Sequence, residues 1–393
     1  MECVLKDLIA VSKDGEWGKG EAFGDSVEML AIRGTDFEDV RFGFSANIPR
    51  RHIAKRHADR KRLQPWDVII EAAGGTKDQI TGRTVLLRPH LFSRSELPFT
   101  CASFSRFIRF NTDLCDPQFM FWYLQYLYVS GLMHAYHTQH TGVARFQWTT
   151  FSEREPLVIP SLPLQRRIAG ILSAYDELIE NSHRRIWLLE RFAGALYREW
   201  FVHFRFPGHE NLTRIASPLG SIPQGWEVKK VGDVLELKYG KALKKEDRRD
   251  GRYPVFGSSG VVGYHDASLV GGPGIIVGRK GNVGSVFWCD EDFFVIDTAY
   301  FVASSLPLRF LFYVLPTLNF INSDAAVPGL SRNQAYTLEL LVPPATLLKQ
   351  FCDLADTFER QASTLQRQIR SLRRTRDLLL PRLLSGQIEV KAS

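Results

Sequence analysis

The chain is poor in the residues and runs that mark several large protein classes. Its five cysteines (Cys3, Cys101, Cys115, Cys289 and Cys352) form no C-x-x-C pair and no even framework. That pattern implies neither a zinc site nor a disulfide scaffold and fits a reducing compartment. Long apolar runs are missing too. The most apolar stretch, FMFWYLQYLYVSGLM at 119–133, is fifteen residues broken by Gln125, short of the roughly 20 that span a bilayer. At the N-terminus, Glu2, Lys6 and Asp7 come too early for a signal peptide. The expectation is a soluble, cytoplasmic protein with no membrane partner.

Motifs for cofactors and catalysis are equally scarce. Six glycines surround one Arg-Lys pair in GGPGIIVGRKGNVG at 271–284, a composition that invites a nucleotide-binding reading. The dinucleotide fingerprint fails because Gly272, Gly274 and Gly278 are wrongly spaced and strand-like residues follow. A P-loop fails because no Ser or Thr follows Lys280. Asp67 and Glu71 suggest a nuclease carboxylate pair, but Ala72 and Ala73 stand where its lysine would be. DPQF at 116–119 lacks the second proline of the amino-methyltransferase motif. His134, His137 and His140 recur every three residues without an acidic or cysteine partner, so metal ligands are weighed against plain surface histidines. No catalytic centre, metal site or cofactor site emerges for this chain.

What is present is a folded composition with a mild excess of positive charge. Of 393 residues, 45% are hydrophobic and 24% charged, enough for two or three cores. Fifty Lys and Arg against 43 Asp and Glu give a formal +7, compatible with a polyanionic partner.

The strongest pattern is a long-period duplication. VLKDLIA at 4 aligns with KVGDVLE at 230, and LQPWDVIIEAAGG at 63 with VGGPGIIVGRKG at 270. PQFMFWYL at 117 aligns with PLRFLFYV at 307, GVARFQ at 142 with GLSRNQ at 329, and the segment from Ile159 with that from Val342. The offsets fall steadily through 226, 207, 190, 187 and 183, as a collinear duplication with insertions in its first copy requires.

Each copy ends in the same heptad seam. It runs through Ile168, Leu172, Tyr175, Ile179, Ser182, Ile186, Leu189, Ala193, Leu196 and Trp200, and again through Phe351, Ala355, Phe358, Ala362, Leu365, Ile369, Leu372, Arg376, Leu379 and Leu383. One polar residue interrupts each, and two matched seams favour helices that pack on each other. Prolines at 160, 163, 343 and 344 mark the entries. DVII (67–70), GIIV (274–277), GSVFW (284–288) and AYFVAS (299–304) read as strands. The expected plan is a mixed α/β (α+β) fold: a globular domain at 1–160, a long helix at 161–205, a linker at 206–222, a second globular domain at 223–342 and a second long helix at 343–388.

With these segments in view, the chain resembles the specificity subunits of type I restriction-modification systems over essentially its whole length. The resemblance is carried by GWEVKKVGDV (225–234), GRYPVFGSSGVVGYHD (251–266), PGIIVGRKGNVGSVFW (273–288), GLSRNQ (329–334) and the two proline-preceded helices. AIRGTDF (31–37), PWDVIIEAAGG (65–75) and GVARFQ match more loosely. The resemblance implies two target-recognition domains separated by an antiparallel, coiled-coil-like pair of helices with a pseudo-two-fold repeat. It also implies a host-defence complex with methyltransferase and ATP-driven endonuclease subunits, which would carry the S-adenosylmethionine, ATP and Mg²⁺. A domain inserted between the helices lets the second return beside the first, so the pair would act as a ruler between two half-sites on double-stranded DNA. Because the two domains differ in sequence, the site should be bipartite and asymmetric. The alternative is a stand-alone methyltransferase or nuclease with an unrecognised centre.

Candidate DNA contacts in the second half are Lys241, Lys244, Tyr253, Ser258, Ser259, Tyr264, Arg279, Lys280, Asn282, Arg332 and Asn333. Arg and Asn suit bidentate reading of guanine and adenine, and glycines let a backbone approach phosphates; the plainer reading is a tight hairpin with solvated charges. In the first half the equivalent loop supplies Thr76, Lys77, Gln79 and Arg83, and the shared G-x-x-R-x-Q supplies Arg145 and Gln147. PRRHIAKRHADRKR at 49–62 holds seven Lys or Arg against one Asp, including Arg50. As a helix it would set Arg51, Lys55 and Arg62 near one face, either a phosphate track or a solvated surface. Arg166, Arg167, Arg184, Arg185, Arg370, Arg373 and Arg374 on the long helices fit solvated faces or partner contacts better than DNA.

Overall fold

The computed structural model describes residues 1–74, 79–139, 142–320 and 329–390. The chain forms two compact units, one of Met1–Arg185 with Leu365–Ser393 and one of Ile186–Thr364.

In the first unit, Val68, Ile69 and Ile70 form a strand with no exposed side chain. Such a β-branched run suits a strand covered on both faces, where successive side chains alternate. Val68 and Ile70 enter a core with Leu86, Ile108 and the helix Pro117–Val129, whereas Ile69 faces Val85, Leu87, Phe99 and Phe107. This strand is central to a four-stranded antiparallel sheet in the order Ile9–Asp14, Ser105–Phe110, Val68–Glu71, Thr84–Leu86. A three-stranded sheet pairs Ser26–Ile32 antiparallel with Arg50–Ala54 and parallel with Phe99–Cys101. A ribbon joins Glu2–Val4 to Pro156–Val158. Asp116 caps the helix by accepting from the Phe119 amide at 2.9 Å.

The second unit repeats this topology piece by piece. Its four-stranded sheet runs Leu235–Tyr239, Ala299–Ser304, Gly274–Gly278, Val286–Cys289. Tyr253–Gly257 pairs antiparallel with Gly260–His265 and parallel with Phe294–Val295, and Glu227–Lys230 pairs with Glu339–Val342. The alternation recurs: Ile275 and Val277 enter the large core while Ile276 faces a smaller one with Phe256 and Phe293. The duplication in the sequence is therefore a duplication of strand order and register.

Two helices of 36 and 40 residues, Leu162–Tyr197 and Ala345–Leu384, carry the seams; at 1.5 Å per residue they are about 54 and 60 Å long. The first ends in a π-helical turn at Arg198–Val202. Most seam residues are buried, including both polar interruptions. Ser182 Oγ donates to the Leu178 carbonyl at 2.8 Å. Arg376 bonds the buried Asp176. Within the first unit Ile168 and Leu172 share a core with Leu380 and Leu383, and His183 meets Arg373, so one helix descends as the other rises. Within the second unit Tyr197, Trp200 and Phe201 pack their rings around Phe351.

A buried ionic cluster fixes the first-unit helices to the domain body. Asp176, 1% exposed, accepts from Arg41 at 2.8 and 3.2 Å and from Arg376, with Arg88 at 3.9 Å. Arg41 and Arg376 both lie over the Trp122 ring. The second unit answers with Arg309, stacked 3.6 Å from the Trp288 centroid and paired with Asp356 and Glu359 of its own helix segment.

Two segments differ from expectation. Residues 49–62 are not one helix: Arg50–Ala54 is a strand and only Lys55–Lys61 is helical, because Ile53 is needed in the core opposite Val27. Arg51, Lys55 and Arg62 therefore do not share a helical face. The segment 206–222 contains a two-stranded hairpin, Arg214–Ser217 with Gly220–Pro223, so its turn-forming composition marks a β-turn as well as a connection. Among the described residues no helix is long and apolar enough to cross a membrane.

Candidate nucleic-acid interface

In the second unit the glycine-rich run is the hairpin between Gly274–Gly278 and Val286–Cys289. Gly278 has no room for a side chain: a Cβ there would sit 2.1 Å from the Asn282 carbonyl oxygen. Gly281 and Gly284 adopt φ of 81° and 76°, a region that favours glycine. These glycines serve the turn itself. Ser285 Oγ ties the loop to the Ser258 and Asn282 carbonyls at 2.6 and 2.8 Å. The Leu330 amide donates to the Arg279 carbonyl at 2.8 Å, and Lys280 bridges to Gly329. Loop, Ser258 turn and GLSRNQ segment thus form one surface.

Two arginines converge on that surface. Arg279 lies 4.9 Å and Arg332 5.0 Å from the centroid of Tyr239, a ring 48% exposed at the end of its strand. Tyr239 packs edge-on against Tyr300 at 5.0 Å. Burial, then the hydrogen bond with Tyr239, pushes the Tyr300 hydroxyl up to about 12, so it stays a neutral donor to the Leu330 carbonyl at 3.2 Å. Within the described residues neither arginine is paired with a carboxylate; Arg279 donates to the Asp297 carbonyl at 3.0 Å and Arg332 to that of Leu237 at 3.5 Å. Lys280 and Asn282 are exposed beside them, as are Ser259, Asn333 and, two residues beyond Tyr239, Lys241. Guanidiniums held by π faces and carbonyls keep donors available for acceptor-rich guanine edges or phosphates. Tyr253 and Tyr264 lie at the opposite, open end of their hairpin from the Ser258 turn, and exposed Lys244 precedes the helical turn Lys245–Asp247.

The first unit builds the same frame with other side chains. Ala73–Gly74 pairs with Ala144–Arg145, and the Phe146 amide donates to the Ala72 carbonyl at 2.9 Å. Where the second unit has free arginines, Arg83 is held by Glu71 through two bonds of 2.8 and 2.9 Å. Arg145 and Gln147 are exposed. Gln79 and Arg83 line a cavity of about 750 Å³ with Trp17, Phe104 and Arg33. Thr76 and Lys77 lie outside the described residues, as does His140. Arg51 stacks 4.5 Å over Trp17, while exposed Arg50 is 3.7 Å from Glu28, Lys55 is exposed and Arg62 accepts a bond from Arg109 at its carbonyl.

The tempting catalytic sets dissolve into structure. Asp67 is buried and doubly bonded to Arg109 at 2.8 Å, as Glu71 is to Arg83. His137 Nδ1 lies 3.1 Å from the Thr81 amide, which donates to it. Among the described residues no cluster could hold a metal ion. Tyr239, Trp17 and Phe104 escaped sequence reasoning. Their one trace is an aromatic ending a strand or turn beside a small residue, a weak signal in a chain that is 12% aromatic.

The chain is similar to known proteins both in sequence and in fold. Residues 223–369 match the family model of the type I restriction modification DNA specificity domain. The chain is 26% identical over 305 residues to the type I restriction enzyme MjaIX specificity subunit of Methanocaldococcus jannaschii, covering 68% of this chain and 69% of that protein. The MjaVIII specificity subunit of the same organism is 31% identical over 107 residues, 27% of this chain and 24% of that one. The crystal structure of a type I restriction-modification S subunit from M. genitalium shares the fold, with a TM-score of 0.56 and 16% identity over 98% of this chain and 95% of that one. Residues 223–369 therefore carry a type I restriction modification DNA specificity domain, and the chain is similar over about two thirds of its length to a type I restriction enzyme specificity subunit.

Proposed function

We propose that each unit reads one half of an asymmetric, bipartite duplex site, and that the long helices set the unread spacer between the halves and dock methyltransferase subunits. The supporting observation is that one frame, a hairpin loop clamped by the G-x-x-R-x-Q segment, is built twice with different chemistry at the same place. The second unit presents Arg279 and Arg332 on Tyr239; the first presents Arg83 sequestered by Glu71 beside a cavity. Two readers on one frame suit two unlike half-sites. Arg279, Lys280, Asn282 and Arg332 are the contacts of the second half, with Ser258, Ser259, Lys241 and Asn333 around them; Gln79, Arg145 and Gln147 are those of the first. Restriction endonuclease subunits complete the complex in the cytoplasm, and S-adenosylmethionine, ATP and Mg²⁺ belong to the partner subunits. Mapping methylated adenines across the genome of cells carrying the whole system tests this reading. Two short motifs at a fixed spacing are expected. One continuous motif refutes it.

A further inference from the structure

The first-unit cavity is not explained by phosphate contacts. Among the described residues its charges cancel in pairs: Arg83 is doubly bonded to Glu71, and Arg33 holds Asp36 through bonds of 2.7 and 3.0 Å. A phosphate entering there would meet no uncommitted guanidinium among the described residues. What the wall does offer is flat apolar surface. Phe104 is 59% exposed, yet its backbone is fixed, since its carbonyl accepts from the Ala72 and Ala73 amides at 2.8 and 3.0 Å. A single exposed apolar ring is ordinary, but Phe104 and Trp17 line the same recess, and two exposed aromatic rings gathered in one cavity are what asks for a ligand. Trp17, 37% exposed, carries Arg51 over one face and has its carbonyl held by Arg51 Nε at 3.0 Å; the rest of the indole is left for the cavity. Glycines at 34 and 74 keep the far wall thin, because a Cβ at either would press on Glu71 Oε1, at 2.8 and 3.2 Å. The Gln79 amide supplies a donor and an acceptor.

We propose that this cavity is a nucleobase pocket, which takes one base unstacked from the half-site read by the first unit and holds it by aromatic stacking, with Gln79 at its polar edge. A neutral, aromatic-lined pocket of about 750 Å³ matches small-molecule and flipped-base sites in size and character. The inference rests on the DNA-recognition reading and adds to it that one position is read outside the helix stack.

The test uses the full chain with its partner subunits and target duplexes carrying one mismatch each, walked through that half-site. Base extrusion predicts that a mismatch at one position tightens binding, by about tenfold or more, because the unpairing cost is already met. Readout within the groove predicts the reverse, a loss of roughly five- to 150-fold at every position read. Phe104→Ala and Trp17→Ala should each abolish the tightening while leaving penalties in the other half-site unchanged; exposed Phe104 is the variant least able to disturb folding. Calorimetric titration with free adenosine, guanosine, cytidine and thymidine separates the sources: saturable binding lost in both variants, without any mismatch effect, assigns the pocket to a free nucleoside. The proposal is overturned if every mismatch weakens binding and no nucleoside binds, or if the effects survive both substitutions. Absence of sequence-specific binding to the intact target would remove the functional reading and this one together.

Discussion

Replacing Asp176 by Asn tests what holds the first-unit helices to their domain. The carboxylate is 1% exposed and faces Arg41 and Arg376 at bonding distance, with Arg88 at 3.9 Å. Asn keeps the shape but removes the charge, leaving buried guanidiniums uncompensated, a change that costs about 3–5 kcal/mol. For a unit of this size each kcal/mol moves the midpoint by about 2–4 °C, so the first-unit transition should fall by about 6–20 °C. Burial alone would raise the Asp176 pKa, but Arg41 and Arg376 outweigh it and hold the carboxyl below its ordinary value. A depressed carboxyl contributes stability that is complete above the unfolded value of about 3.9 and is lost as pH falls through the folded value. The wild-type advantage over Asp176→Asn should therefore persist at pH 5–8, begin to shrink near pH 4 and vanish only below the depressed folded value. Calorimetric scans of both proteins across that range measure it. A drop under about 2 °C at pH 7, or an advantage undiminished in acid, would refute the reasoning. Joint replacement of Arg41, Asp176 and Arg376 by Met, Leu and Met should recover most of the loss, since well-packed apolar groups substitute for a buried ionic triad.

Three further outcomes follow from the same geometry. Arg279→Ala or Arg332→Ala should weaken binding to the cognate duplex by about 1–3 kcal/mol and relax one base, whereas Lys280→Ala should weaken all sequences alike and lower the salt slope by about one, as salt-titrated binding would show. Gly278→Ala forces a Cβ to within 2.1 Å of the Asn282 oxygen; footprinting should lose protection over one half-site and keep the other, and an unchanged footprint would contradict the role given to the loop. Burial pushes the Cys101 and Cys115 thiols up to about 12, so iodoacetamide at pH 8 should leave both unmodified in the native protein; rapid alkylation detected by mass spectrometry would show that these cores open.

The sequence by itself determined the duplication, the strands and the seams, because each rests on a short period or a repeated pattern. Val68–Ile70 and Ile275–Val277 are short β-branched runs that suit a covered strand, and the four-three spacing from Ile168 and Phe351 suits helices with one buried face. What it left open depends on partners distant along the chain. The strand at Arg50–Ala54 requires Ser26–Leu30 beside it, so its local charge pattern could not disclose it. The polar interruption at Arg376 becomes intelligible only when Asp176, 200 positions away, is placed against it. The candidate interface was half legible. Arg279 and Arg332 stand out as arginines among glycines and in the G-x-x-R-x-Q pattern, but Tyr239 joins them through strand pairing with Tyr300. In the first unit Arg83 is bonded by Glu71 through Nε and Nη2, a pairing that its place in the sequence does not disclose. Periodicity is local and survives in one dimension; ion pairs, cavities and stacked rings are made by the fold, which alone decides which charges remain free.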